Sequence, residues 1–264
     1  TILRANGSSQ ALPAWQSVIA KARRSILDRG LALIKGFPVE GRSDDDCSDM
    51  YWGLGTHIGV AVTQTNTGDL LVPVYDRKFR GETTAKSFGY ASDQELEFHV
   101  DPTDAFGLLC IRKAKYGGES RLVSATSIHN EMLKSRPDLL EALYDGFVWM
   151  RRYPGDGRFS APIPVFATVN GKVASRFHRR YIDTGADLAG IELSPLQREA
   201  LDCFASMFDR TDLVAELVLE PGDVLLFNNY LVLHAKKTQR DEGDPRKGRL
   251  LQRMWLYMQE FSRY

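Results

Sequence analysis

Leu219-Glu220-Pro221-Gly222-Asp223, then Val224-Leu225-Leu226-Phe227-Asn228-Asn229-Tyr230, then Leu231-Val232-Leu233-His234, is the stretch on which the fold turns. Pro-Gly-Asp makes a turn. An apolar strand follows it, and a second strand delivers His234. A lone histidine on an apolar strand is most often a core residue bonded to backbone carbonyls, so His234 by itself decides little.

Outward from this pair the same texture repeats. Short apolar segments recur from about residue 69, at 70–74, 96–100, 106–113, 120–123, 145–151, 163–168, 172–177, 214–219 and 249–258. Glycine, proline and charged residues separate them. Many short strands at such spacing predict a barrel or a two-sheet sandwich rather than alternating βαβ units. Helices are expected over 13–29, with Pro13 at the first position, Trp15, Val18, Ile19, Ala22, Ile26 and Leu27 on one face, and Gly30 as the stop. Leu31 to Lys35 reads as a short strand. Ser43 can cap a second helix, whose first turn, Asp44 to Asp46, suits the positive end of the helix dipole. Further helices are expected near 125–144 and 194–209, the latter opened by Ser194-Pro195. Polar stretches at 76–95, 153–160 and 238–248 read as long loops, and loops of that length are often functional lids.

Composition narrows the partner. The chain has 264 residues, 43% hydrophobic and 26% charged, with zero formal net charge. That is enough to build a sizeable core. No basic excess argues for nucleic acid or an anionic membrane, so a small molecule is the expected partner. Cys47, Cys110 and Cys203 form no C-x-x-C pair and are odd in number, which predicts free thiols and a cytoplasmic setting. No apolar run reaches the length of a membrane span. Thr1-Ile2-Leu3-Arg4 carries neither an initiator Met nor an apolar signal core, so the chain is expected to begin inside the natural product.

Two further segments carry chemistry. In Phe98-His99-Val100-Asp101, His99 and Asp101 are two apart, so on a strand both face one side. An imidazole and a carboxylate so placed supply two ligands of a 2-His-1-carboxylate facial triad. A chance meeting of His and Asp at a strand end fits the same three letters. In Gly248-Arg249-Leu250-Leu251-Gln252-Arg253-Met254-Trp255-Leu256 the two arginines share a parity with Leu251, which predicts that both point inward. Buried guanidiniums need anionic partners, and Arg suits a bidentate grip on carboxylate; two solvated charges on an exposed face are the alternative. His57, His129 and His178 are assigned to ordinary structural roles.

Taken together, H-x-D, a distal His 135 residues on and an Arg 15 residues beyond it resemble the taurine dioxygenase family of iron(II)/2-oxoglutarate oxygenases. The likeness is to its clavaminate synthase-like and butyrobetaine hydroxylase-like branches. Gly30-Leu31-Ala32-Leu33-Ile34-Lys35-Gly36 looks like the family's early strand, and Gly117-Gly118-Glu119-Ser120 like its glycine-glycine-acid-threonine motif. The resemblance implies a mainly β fold with flanking helices, a double-stranded β-helix or jelly roll. Residues 1–264 would form a single oxygenase domain, with helical and loop insertions near 76–97, 125–144 and 178–212. It implies iron held by His99, Asp101 and His234, with 2-oxoglutarate and O2 as co-substrates. It matches Arg249 to the Arg that pairs with the far carboxylate of 2-oxoglutarate, and Ser120 to a hydroxyl supporting that carboxylate. Arg253 falls where an acidic group of the substrate is often bound. Halogenating relatives lack the carboxylate that Asp101 supplies, which favours oxygen insertion.

The expected reaction is hydroxylation of a C–H bond in a small carboxylate-bearing or amino-acid-like molecule, free or tethered to a carrier protein, with succinate and CO2 as co-products. Desaturation and epoxidation remain open, as does the oligomeric state. The loops at 76–97 and 153–160 are expected to line or cover the pocket. Tyr181 and Asp183 are placed in a further loop, where the carboxylate could read an amine. A jelly-roll protein that binds metal without turnover, or a metal-dependent isomerase or hydrolase, is the rival; neither needs an oxoacid clamp.

Overall fold

The computed structural model describes residues 15–82, 89–151, 157–169 and 171–261. In chain order the strands are β1 (Leu31–Ile34), β2 (Val60–Ala61), β3 (Leu71–Val74), β4 (Leu96–His99), β5 (Ala105–Arg112), β6 (Tyr116–Gly117), β7 (Ser120–Ser124), β8 (Gly146–Phe147), β9 (Ile163–Pro164), β10 (Phe166–Val169), β11 (Lys172–Ser175), β12 (Val214–Leu217), β13 (Val224–Asn228), β14 (Val232–Lys236), β15 (Gln239–Arg240) and β16 (Leu250–Tyr257). The helices are α1 (Gln16–Arg29), α2 (Asp44–Thr56), α3 (Ala125–Ser135), α4 (Pro137–Ala142), α5 (Arg179–Ala189) and α6 (Pro195–Ser206).

Two antiparallel sheets carry the architecture. The larger runs β1-β13-β5-β16, with β2 and β3 pairing successive parts of β16; the smaller runs β12-β7-β14-β4. Phe106, Leu225, Phe227, Leu251 and Trp255 of the larger sheet meet Leu122 and Val232 of the smaller in one apolar cluster. The outer face of the larger sheet, including Leu109, Val224, Leu226 and Met254, is covered by Ile19, Ala22 and Ile26 of α1 and by Tyr51 and Leu54 of α2. On the far side, Val123, Leu233 and Ala235 pack against α3, α4 and α6 through Ile128, Met132, Leu139 and Phe204. Helices outside and partner sheet inside leave the central strands dry on both faces. This is why β13 and β14 are buried throughout, rather than alternating as one-sided strands do.

Local chemistry sets the element ends. Ser43 and Asp46 form a reciprocal capping box at the start of α2. Gly30 ends α1 at φ 82°, where a side chain would be strained. The expectation over 13–29 is met from Gln16 onward; Pro13 lies outside the described residues. Parts of the expected loops, 83–88 and 152–156, lie outside them as well. One reading is corrected: Tyr181 and Asp183 sit on α5, not in a loop. Asp183 faces Arg179 one turn earlier, 2.9 Å from its Nε, so its carboxylate is already engaged.

Candidate metal centre and active site

A central strand of the smaller sheet, β14, and its edge neighbour, β4, bring the ligands together. The pairing of β4 with β14 sets His99 directly opposite His234. Val100 N–H donates to the Phe177 carbonyl at 2.9 Å, and Asp101 N–H to Asn229 Oδ1 at 3.2 Å, which fixes the chain just after β4. His99, Asp101 and His234 each present one ligand atom, all within 4.8 Å of one another. Asp101 Oδ1 lies 3.9 Å from His99 Nε2, and Asp101 Oδ2 3.8 Å from His234 Nε2.

Surrounding contacts orient the donors. His99 Nδ1 donates to the Glu97 carbonyl at 2.8 Å, which leaves Nε2 with its lone pair toward the cluster. The Trp255 indole N–H donates to Asp101 Oδ2 at 3.1 Å. Burial, followed by the positive fields of His99, Arg253 and His178, holds His234 well below the usual imidazole range. It is therefore neutral and ready to ligate. Two imidazoles and a carboxylate on one side of a cavity suit a first-row metal such as iron(II) with open positions.

That cavity is also lined by Ser120, Arg249, Arg253 and Lys236. Leu251 and Trp255 lie in the cluster between the sheets, while Leu250 and Met254 lie in the outer one, so the odd residues of β16 point inward. Arg249 and Arg253, each 5% exposed, keep that parity. Arg249 Nη1 is buried without an acceptor. Burial lowers the Arg249 pKa to about 10, with Cys110 and Asp241 acting the other way, so the group stays cationic at neutral pH. Arg253 Nε donates to Gln64 Oε1 at 2.7 Å, and its guanidinium lies over the rings of Tyr90 at 4.3 Å and Trp255 at 5.1 Å. Ser120 opens β7 after Gly117 and Gly118, both at positive φ. A Cβ on Gly117 would come within 2.2 Å of the Thr238 carbonyl oxygen, so the chain can pass there only as glycine.

Two residues near the site escape the sequence reading. His178, assigned to an ordinary structural role, bridges to His99 through the backbone, with ring centroids 5.2 Å apart, and stacks on Tyr181 at 4.0 Å. Its signal was faint: one histidine in a basic segment, carried to the site by a chain crossing. Lys236 left a clearer trace, since it lies two residues after His234 on the same strand. Of the other histidines, His129 lies away from the triad, its Nε2 2.9 Å from the Tyr144 hydroxyl.

Comparison with known proteins agrees with this geometry. Residues 5–255 match the family described as taurine catabolism dioxygenase TauD, TfdA family. FR-33289 synthase of Streptomyces rubellomurinus is 32% identical over 235 residues, covering 86% of this chain and 68% of that protein. A uridine-5'-phosphate dioxygenase of a Streptomyces species is 28% identical over 173 residues, covering 64% of this chain and 61% of that one. Among solved structures, an asparagine oxygenase in complex with Fe(II), 2S,3S-3-hydroxyasparagine and succinate superposes with TM-score 0.72 at 18% identity, over 93% of this chain and 79% of that one. The non-heme iron oxygenase OrfP with Fe and alpha-ketoglutaric acid gives 0.67 at 16%, over 92% and 80%. These two share the jelly-roll fold with this chain. The extent of the family match and the FR-33289 synthase relationship settle its membership: the chain belongs to the TauD, TfdA family of iron(II)- and 2-oxoglutarate-dependent dioxygenases.

Proposed function

We propose that His99, Asp101 and His234 hold the iron, that Arg249 and Ser120 hold the far carboxylate of 2-oxoglutarate, and that Arg253 grips an anionic group of the primary substrate. The observation that carries this reading is the coincidence, in one cavity, of three ligand atoms within 4.8 Å and a buried guanidinium nitrogen without an acceptor. Iron and 2-oxoglutarate together supply dioxygen activation, with succinate and carbon dioxide as co-products.

The chain's own share is position and exclusion. Trp255 holds Asp101 by one carboxylate oxygen, and Glu97 holds the tautomer of His99. The apolar lining from Leu122, Phe106 and Phe227 lowers the local dielectric, which strengthens the charge interactions inside the cavity. Gln64 and the rings of Tyr90 and Trp255 fix the plane of the Arg253 guanidinium. A substrate anion seated there has its C–H bond set at a defined place beside the metal, and small misplacements cost about a hundredfold.

The proposed reaction is hydroxylation of a small amino-acid-like or otherwise anionic molecule. The names support that class: the family is described by taurine catabolism, one relative is named for uridine-5'-phosphate, and one structural neighbour is solved with a hydroxylated asparagine. His178, beside His99 but outside the lining of the oxoacid cavity, marks the flank from which we propose the substrate approaches. The chain is further proposed to work as one domain in the cytoplasm. Its three cysteines are free, and among the described residues no helix is long and apolar enough to cross a membrane.

The deciding test is anaerobic addition of iron(II) and 2-oxoglutarate. A weak visible absorption from the chelate is expected, and a metabolite panel scored by succinate release then identifies the substrate. A protein that takes up iron yet shows neither the band nor oxoacid binding would refute the reading.

A further inference from the structure

Lys236 lines the active-site cavity and has been given no task there so far. It follows His234 by two residues on β14, so both side chains leave the strand toward the cavity that they line. Its partner across the β7–β14 ladder is Ser120. Arg249 borders the same cavity, near enough for its charge to act against the Lys236 ammonium, while Asp93 and Asp76 favour it more weakly from beyond ion-pair distance. Lys236 is only 7% exposed and Arg249 5%.

An ammonium has three donors. Lys236 Nζ gives one to the Ser92 carbonyl at 2.7 Å. Among the described residues no carboxylate lies within ion-pair distance of Lys236, and Arg249 offers a buried Nη1 with no acceptor. Two like charges withdrawn from water oppose each other and stay costly until an anion joins them. A carboxylate can do so: its two oxygens have lone pairs enough for a guanidinium, an ammonium and a hydroxyl together.

We propose that Lys236 is the second cation of the oxoacid clamp and shares the far carboxylate of 2-oxoglutarate with Arg249. This rests on the oxygenase reading given above. Its consequence is selectivity. A 2-oxo acid lacking the far carboxylate leaves two buried cations facing each other, and a site built around polar pairing rejects such an analogue strongly.

The Ser92 bond gives Lys236 a competing job, as a strap that holds the segment carrying Tyr90. Lys236→Gln separates the two, because the amide retains an N–H for Ser92 and removes the charge. The full chain is loaded with iron(II) without oxygen, and binding of 2-oxoglutarate and of 2-oxopentanoate, the same carbon chain without the far carboxylate, is measured by calorimetry. Lys236→Gln is expected to bind 2-oxoglutarate about tenfold to a hundredfold more weakly. Its affinity for 2-oxopentanoate should not fall, its melting temperature should hold or rise because one of two opposed buried cations is gone, and Lys236→Arg should keep the preference.

Three results overturn the proposal: an unaltered preference in Lys236→Gln; equal loss for both oxoacids with a lower melting temperature, which is the strap; or unaltered oxoacid affinity with a raised KM for the primary substrate. Should Lys236→Gln not fold, the wild-type protein still decides. 2-Oxoglutarate, but not 2-oxopentanoate, should shield Lys236 from acylation, and equal shielding by both overturns the assignment. A wild-type protein that binds neither oxoacid in the presence of iron removes the oxygenase reading itself, whereas normal binding with an unaltered variant removes only Lys236.

Discussion

The shared direction of His99 and Asp101 was legible from strand parity, since two residues apart means one side. His234 joined them only through the family resemblance, and the fold brings the three ligand atoms within 4.8 Å of one another. If they hold iron, His99→Ala and His234→Ala should lose metal, measured as iron retained after desalting, and lose activity with it. His129→Ala, remote from the triad and bonded to Tyr144, should keep both. Arg249 was legible for the same reason and for the cost of a buried unpaired cation. Arg249→Ala removes a buried charge-assisted pair, about 2–5 kcal/mol. The KM for 2-oxoglutarate should rise accordingly while iron affinity holds, and an unchanged KM would take Arg249 out of the site. His178 was not legible. Its place beside His99 depends on the Phe177 carbonyl accepting from Val100 N–H, a long-range crossing for which no local pattern exists. Lys236 could have been found, since the parity that selects His234 selects it too.

At the level of elements, two of the helices that announced themselves carry capping boxes, whereas α1 starts at Trp15 without a side-chain cap bond. Ser43 and Ser194 both complete capping boxes, and both helices start where the sequence reading set them. Helix α5 gave no such sign. Its N-cap is His178, which makes no side-chain cap bond, and the first turn carries Arg179 and Arg180 where acids are favoured. It holds through burial of Ile182 and Ala186, a tertiary effect that local preference cannot report. Strand β16 and the residue just before it deliver two cations to one cavity in different surroundings, and so invite a test of division of labour. Arg253→Ala should leave the anaerobic iron–2-oxoglutarate absorption intact while coupled product falls by up to about a hundredfold. Slow uncoupled succinate formation should persist. Loss of melting temperature and absorption together would instead make Arg253 a structural residue; a stable variant with unaltered coupling would give it neither task.

Across the whole molecule, two sheets meet over a dry cluster, and helices seal both outer faces. Recurring short strands foretold the sandwich. The strand order was not legible, because β1 joining β13 and β5 joining β16 are pairings between segments far apart in the chain. A metal that binds only the folded sandwich stabilises it by mass action, about 2.7 kcal/mol at a hundredfold excess over its Kd. The melting temperature should rise with iron(II) or a redox-inert substitute, fall on chelation, and rise further with 2-oxoglutarate, more when metal is present than when it is absent. An oxoacid effect of the same size with and without metal would contradict the shared site. The same long-range pairing has a consequence during synthesis. His99 and Asp101 leave the ribosome well before His234 and Arg249, about 7–30 s earlier at roughly 5–20 residues per second. Through that interval the nascent chain displays two ligands on a strand whose neighbour, β14, does not yet exist. A half-built centre of that kind binds metals loosely and with little choice among them. If these residues hold the iron, the complete donor set exists only once His234 has emerged and β14 has paired with β4, so the selective metal site is made by the long-range pairing and not by the early ligands.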